Sequence, residues 1–113
     1  MIGIYIHIPY CRTLCPYCDF VKQRLRGNVP DPFVDALCRE IRAYEGPRDA
    51  GSVFFGGGTP SMLAPHSLER ILNTLADSFR LHAPEITLEA NPDDVTHDLV
   101  RAWRASGVNR ISL

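Results

Sequence analysis

The chain has 113 residues, which limits it to one domain, and its 45% hydrophobic content is enough for a packed core and excludes a disordered chain. A net charge of −1 leaves no electrostatic footprint for nucleic acid or an anionic membrane surface. No apolar run approaches the ~20 residues of a membrane span.

Residues 2–8, Ile-Gly-Ile-Tyr-Ile-His-Ile, alternate with period two and predict a strand. Its isoleucines share one face, and Gly3, Tyr5 and His7 share the other. Pro9 cannot donate to a ladder and ends it. With Met1 leading directly into this strand, no signal peptide is expected before it. Free thiols without a secretion signal point to a reducing cytoplasm as the expected compartment.

The stretch Cys11 to Cys18 follows at once and holds three of the four cysteines with spacing C-x3-C-x2-C. Three cysteines cannot pair among themselves, so metal is the better reading than a disulfide framework. Structural zinc usually draws four ligands as two separated pairs, whereas this is a triplet. A [4Fe–4S] cubane takes one thiolate per iron, so three thiolates would leave the fourth iron open to an outside ligand such as S-adenosylmethionine (SAM). Zinc remains the alternative, with His7 as a conceivable fourth ligand that a strand position makes awkward.

Asp31-Pro32 predicts an N-cap followed by proline at the first helical position. The helix carries an apolar stripe of Phe33, Leu37, Ile41 and Tyr44, with Val34 and Cys38 beside them, and Gly46-Pro47 stops it. Cys38 on that stripe reads as a small buried hydrophobe rather than a fourth ligand. Residues 52–55 form a short apolar strand that runs into Gly56-Gly57-Gly58-Thr59-Pro60-Ser61. A second amphipathic helix carries Leu68, Ile71, Leu72, Leu75 and Phe79. Residues 85–90 alternate again, with Ile86 and Leu88 opposite Thr87 and Glu89, and Asn91-Pro92 ends this strand. A third helix spans roughly 95–105 with Gly107 as its C-cap, and Arg110 begins a fourth strand.

The order β-α-β-α-β-α-β predicts an α/β sheet of parallel strands joined by helical crossovers. The fourth strand has no helix after it, so the chain reads as about half of a barrel. In such sheets function collects at the C-terminal ends of the strands. The cysteine stretch, the glycine run and Glu89-Ala90-Asn91-Pro92 all fall there. If the isoleucine faces pack on helices, Tyr5, His7, Thr87 and Glu89 point into the lumen. The glycine run is no P-loop, because no Gly-Lys-Ser/Thr follows, but its backbone can approach a ligand and offer carbonyls to an ammonium group. Glu89 there could accept hydrogen bonds from a ribose or an amine.

The C-x3-C-x2-C triplet with Tyr17 before its last cysteine resembles the radical SAM superfamily. Tyr5 to Cys11, Cys15 to Phe20, Phe54 to Ser61 and Glu89 to Asp93 together resemble the oxygen-independent coproporphyrinogen III oxidase family, closest to the HemW-type heme chaperones. The resemblance covers essentially the whole chain. It implies that residues 1–113 are the N-terminal part of a single domain, the N-terminal half of a partial (βα)6 TIM-like barrel. It implies that Cys11, Cys15 and Cys18 ligate a [4Fe–4S] cluster, with Tyr5 against the cluster–SAM region and Tyr17 near the adenine. Gly57, Gly58 and Thr59 would hold the methionine end of SAM, and Glu89 would contact SAM as well. The resemblance implies no catalytic side chain among these residues. The oxidases carry a further cysteine just after the third, where this chain has Asp19-Phe20, so the resemblance favours the chaperone branch. Partners implied are SAM, heme or a porphyrinogen, and an acceptor hemoprotein. The oxidase branch would act by radical hydrogen abstraction from a porphyrinogen propionate, and the chaperone branch would bind heme and deliver it. A zinc-stabilised structural domain is the reading outside this family.

Overall fold

The computed structural model describes residues 1–11, 23–24 and 28–113, with the backbone alone described at 11, 23 and 24. Among the described residues nine strands and α-helices follow in chain order: β1 (Ile2–Ile8), β2 (Tyr10–Cys11), β3 (Gln23–Arg24), α1 (Asp31–Ala43), β4 (Asp49–Gly57), α2 (Pro65–Ser78), β5 (Arg80–Glu89), α3 (His97–Ser106) and β6 (Arg110–Ser112). The main sheet has the order β1-β4-β5-β6 with every pairing parallel. Each crossover therefore advances one place in the same direction. With right-handed connections, that walk leaves all three helices on one face. Accordingly α1 packs on α2, and α2 on α3. The predicted α/β class and parallel strands match this architecture.

Period-two alternation sorts the sheet into two faces, and the register aligns them across strands. Ile6 pairs with Phe55, and Phe55 with Leu88; Val53 pairs with Ile86. These side chains are all buried and meet Val34, Cys38 and Ile41 of α1, Leu68, Ile71 and Leu75 of α2, and Trp103 of α3. Tyr5, Phe54, Thr87 and Arg110 form a row on the other face. The expected face assignment of Tyr5, His7, Thr87 and Glu89 agrees with this register. Their environments differ, for Tyr5 is 57% exposed and Thr87 only 1%.

Local chemistry accounts for both ends of α3. Thr96 accepts from the Leu99 N–H at 3.2 Å, and Gly107 closes α3 in the left-handed conformation at φ 118°. The first helix begins one residue earlier than its sequence predicts. Pro30 is its N-cap, with φ −62° and ψ 141°, and Asp31 is already helical. The Pro30 carbonyl takes the first helical bonds, from the N–H groups of Phe33 and Val34. Pro32 still costs nothing, since its missing N–H lies in the first turn, where donors have no intrahelical partner.

Strands β4 and β5 extend further back than residues 52–55 and 85–90. Their added N-terminal portions carry Asp49, Gly51 and Pro84 and show no apolar alternation. They are held by parallel pairing of Asp49 with Arg80 and Ala50 with Leu81. The Asp49 side chain grips both Arg80, through two contacts of 2.9 Å, and the His82 ring at 2.8 Å. Between Ala50 and Ser52 the register shifts from Leu81 to Glu85, and Ala83 turns through φ +41° to absorb the extra residues. Pro9 separates β1 from β2, whose parallel pairing with β3 sequence patterning does not reveal.

Two outcomes test this packing. Leu75→Ala, at a fully buried position in α2, should lower stability by about 2–5 kcal/mol in urea denaturation, and Glu69→Ala on the exposed face by no more than about 0.5 kcal/mol. The Arg80 guanidinium, and after it His82, hold the Asp49 carboxyl well below the usual carboxylate range. Its contribution is thus present above the unfolded-state value of about 4 and is lost as pH falls further. The stability gap between wild type and Asp49→Asn should narrow below about pH 4. A gap that stays constant from neutral pH into strong acid would exclude this linkage.

Candidate functional site

The C-terminal rim of the sheet is built from the segments that leave β1, β4, β5 and β6. At the end of β4, Gly57 adopts φ +107°, a conformation glycine permits, and a Cβ there would lie 2.6 Å from the His7 ring. Gly58 packs closer still, since a Cβ would come within 2.4 Å of the Tyr10 carbonyl oxygen. Three successive N–H groups in this loop are committed. Gly57 donates to Glu89 Oε1 at 3.1 Å, Gly58 to the Ile8 carbonyl at 2.7 Å, and Thr59 to the Tyr10 carbonyl at 2.8 Å. The chain then turns through a short 3-10 segment, Pro60–Met62.

The segment after β5 mirrors that design. Asn91 precedes a second 3-10 turn, Pro92–Asp94, and its side chain accepts from the Asp93 N–H at 3.0 Å. The Ala90 N–H donates to the Ser112 carbonyl at 2.9 Å, which ties in the end of β6. Between these walls lies a cleft of about 370 Å³, lined by Gly57, Gly58, Thr59, Glu89, Asn91 and Ser112, with Ala90, Pro92 and Leu113.

Four of the residues singled out from sequence, Gly57, Gly58, Thr59 and Glu89, thus line one cleft. Asn91 and Ser112 were not singled out as site residues, although both sit at strand ends on the functional rim. Tyr5 does not line this cleft. Its ring stacks on Phe54 with centroids 6.0 Å apart, and its hydroxyl meets His7 Nδ1 at 3.2 Å. It borders instead a groove of about 590 Å³ between β1 and α1.

Cys11 has its backbone beside the Gly58–Thr59 turn, because the carbonyl of the preceding Tyr10 accepts the Thr59 N–H. The Cys11 side chain and all of Cys15, Tyr17 and Cys18 lie outside the described residues. Among the described residues no cluster of three or more His, Cys, Asp or Glu is poised to hold a metal. Cys38 is fully buried in the helix-facing core, where Thr74 Oγ1 donates to its sulfur at 3.5 Å. That is the place of a small hydrophobe, as its position on the α1 stripe predicts.

Comparison with known proteins agrees with this fold. Residues 5–113 match the family described as the Radical SAM superfamily, whose members in general work with SAM and a [4Fe–4S] cluster. The heme chaperone HemW of Escherichia coli K12 is 41% identical over 99% of this chain and 31% of its own length. The heme chaperone HemW of Lactococcus lactis is 39% identical over 96% of this chain and 29% of its own length. The chain therefore spans about 30% of these relatives. Among solved structures, coproporphyrinogen III oxidase (HemN) from Escherichia coli, a radical SAM enzyme, superposes with a TM-score of 0.84 at 34% identity. That match covers 96% of this chain and 26% of the oxidase. The one-directional parallel walk is thus part of a radical SAM TIM-like barrel fold. No described helix is long and apolar enough to cross a membrane. On the match over residues 5–113, the chain belongs to the radical SAM superfamily.

Proposed function

We propose that residues 1–113 form the N-terminal part of a radical SAM barrel domain in a cytoplasmic protein of heme metabolism. It is most like a HemW-type chaperone that binds heme and delivers it to an acceptor hemoprotein. The observation that carries this reading is identity of about 40% to two HemW chaperones over nearly the whole chain. Asp19-Phe20, where the related oxidases are expected to carry a further cysteine, points the same way. The fold match to HemN favours one second reading, an oxidoreductase acting on a porphyrinogen.

In this proposal Cys11, Cys15 and Cys18 hold a [4Fe–4S] cluster whose fourth iron is open to SAM. The cluster and SAM together supply one-electron chemistry, and the protein binds, orients and shields them. Tyr5 borders the cluster–SAM region and Tyr17 the adenine. Gly57, Gly58, Thr59 and Glu89 receive the methionine end. The cleft chemistry supports that last assignment. The N–H groups of Gly57, Gly58 and Thr59 are already spent on Glu89, Ile8 and Tyr10, so the loop has none left for an anion, and the charged group in the lining is the Glu89 carboxylate. A carboxylate in that place suits an ammonium group. Glu89 uses Oε1 for Gly57 and has further lone pairs to offer.

Anaerobic iron–sulfur reconstitution, followed by EPR of the dithionite-reduced protein with and without SAM, tests the cofactor assignment. A cubane signal that shifts on adding SAM is the expected result, and Cys11→Ala should lose it. Glu89→Gln should keep the cluster and bind SAM roughly tenfold more weakly, the scale of a hydrogen bond to a charged group. A colourless protein that holds one zinc and takes up no iron would overturn the reading. Heme titration of the full-length protein then separates the branches, since stoichiometric heme binding without porphyrinogen turnover fits the chaperone alone.

A further inference from the structure

Behind the cleft, one pair of side chains joins the two turns that form its walls. Ser61 lies in the 3-10 turn after β4, and Asp94 lies in the matching turn after β5. Both are buried, at 5% and 6% exposure, and neither lines the cleft. Ser61 Oγ donates to Asp94 Oδ2 at 2.8 Å and accepts the Asn91 N–H at 3.3 Å. One hydroxyl thus uses its donor on a carboxylate and an acceptor site on a backbone that itself lines the cleft. Taking a carboxylate out of water is costly unless hydrogen bonds compensate, so this geometry is strongly favoured over a loosened one. Thr59, two residues before Ser61, and Asn91, three before Asp94, stand on opposite sides of the cleft.

We propose that Ser61 and Asp94 are positioning residues that set the separation of the Gly57–Thr59 wall from the Asn91 wall, and thereby the affinity for SAM. This rests on the cofactor assignment made above. The Gly57 to Glu89 hydrogen bond ties the same walls at the mouth, and the Ser61 hydroxyl ties them from behind. With the rear tie removed, the two walls are free to shift by fractions of an ångström. Ligand groups held from both sides would then lose their simultaneous contacts.

The test measures SAM dissociation constants on the anaerobically reconstituted protein, well below its melting temperature, by equilibrium dialysis. Ser61→Ala removes both hydrogen bonds of the hydroxyl and should weaken SAM binding roughly fivefold to tenfold, with cluster content and circular dichroism unchanged. Asp94→Ala is the second variant, for the case that Ser61→Ala does not fold. Asp94→Asn keeps an oxygen that can accept from Ser61 and should stay within about twofold of wild type. Folded, cluster-loaded Ser61→Ala and Asp94→Ala proteins that bind SAM as tightly as wild type would overturn the positioning role alone. A cluster-loaded wild type that binds no SAM would remove the cofactor assignment and this proposal with it. Equal weakening by Asp94→Asn and Asp94→Ala would assign the effect to charge and overturn the hydrogen-bonded tie.

Discussion

Parallel pairing of consecutive strands governs this structure. Because β1, β4, β5 and β6 run the same way and follow one another across the sheet, every strand delivers its C-terminal end to the same rim. The loops that leave those ends have no choice but to be neighbours. The same walk places all three helices on one face, where the isoleucine rows find their partners, and leaves Tyr5, Phe54 and Glu89 on the other. Core and cleft are thus two consequences of a single hydrogen-bonding constraint.

Much of that arrangement is legible in the sequence because alternation and helical stripes report directly on a one-sided core. The Ile2–Ile8 strand, the buried role of Cys38 and the Gly107 cap all follow from local patterns. Legibility fails where no side faces the core. Residues 80–84 are largely exposed, so they carry no alternation, and long-range pairing with β4 makes them strand. Asp31 sits between two prolines, and its first-position role depends on the Pro30 carbonyl, rather than its own, taking the first helical bonds. Ser61 and Asp94 are 33 residues apart, a separation that no local pattern encodes. Gly57, Gly58, Thr59 and Glu89 are readable as neighbours because each lies at or beside a strand end, whereas family resemblance joins Tyr5 to them and Tyr5 borders a different groove.

The polarity of the rim also has a structural origin. A glycine loop at a strand end would ordinarily offer N–H groups, which suit anions. Here the loop lies so close against β1 and β2 that the Ile8 and Tyr10 carbonyls consume two of them, and Glu89 consumes the third. Glycine serves here for close approach between backbones as much as for turning. The loop therefore has no N–H of Gly57, Gly58 or Thr59 left for an anion, although its sequence superficially resembles an anion cradle.

The irregularities of the sheet are unevenly distributed. The register shifts fall between Ile2 and Gly3 on β1 and between Ala50 and Ser52 on β4, both at the N-terminal end, and Ala83 bends there as well. From Val53 and Ile86 onward the pairing of these two strands runs without interruption to the rim. The bulge therefore acts as a slack joint. Segments entering the sheet from below can gain or lose residues and be absorbed there, while the reading frame that aims Glu89 at the glycine loop is preserved. Such a sheet is tolerant at its base and exact in register toward its top.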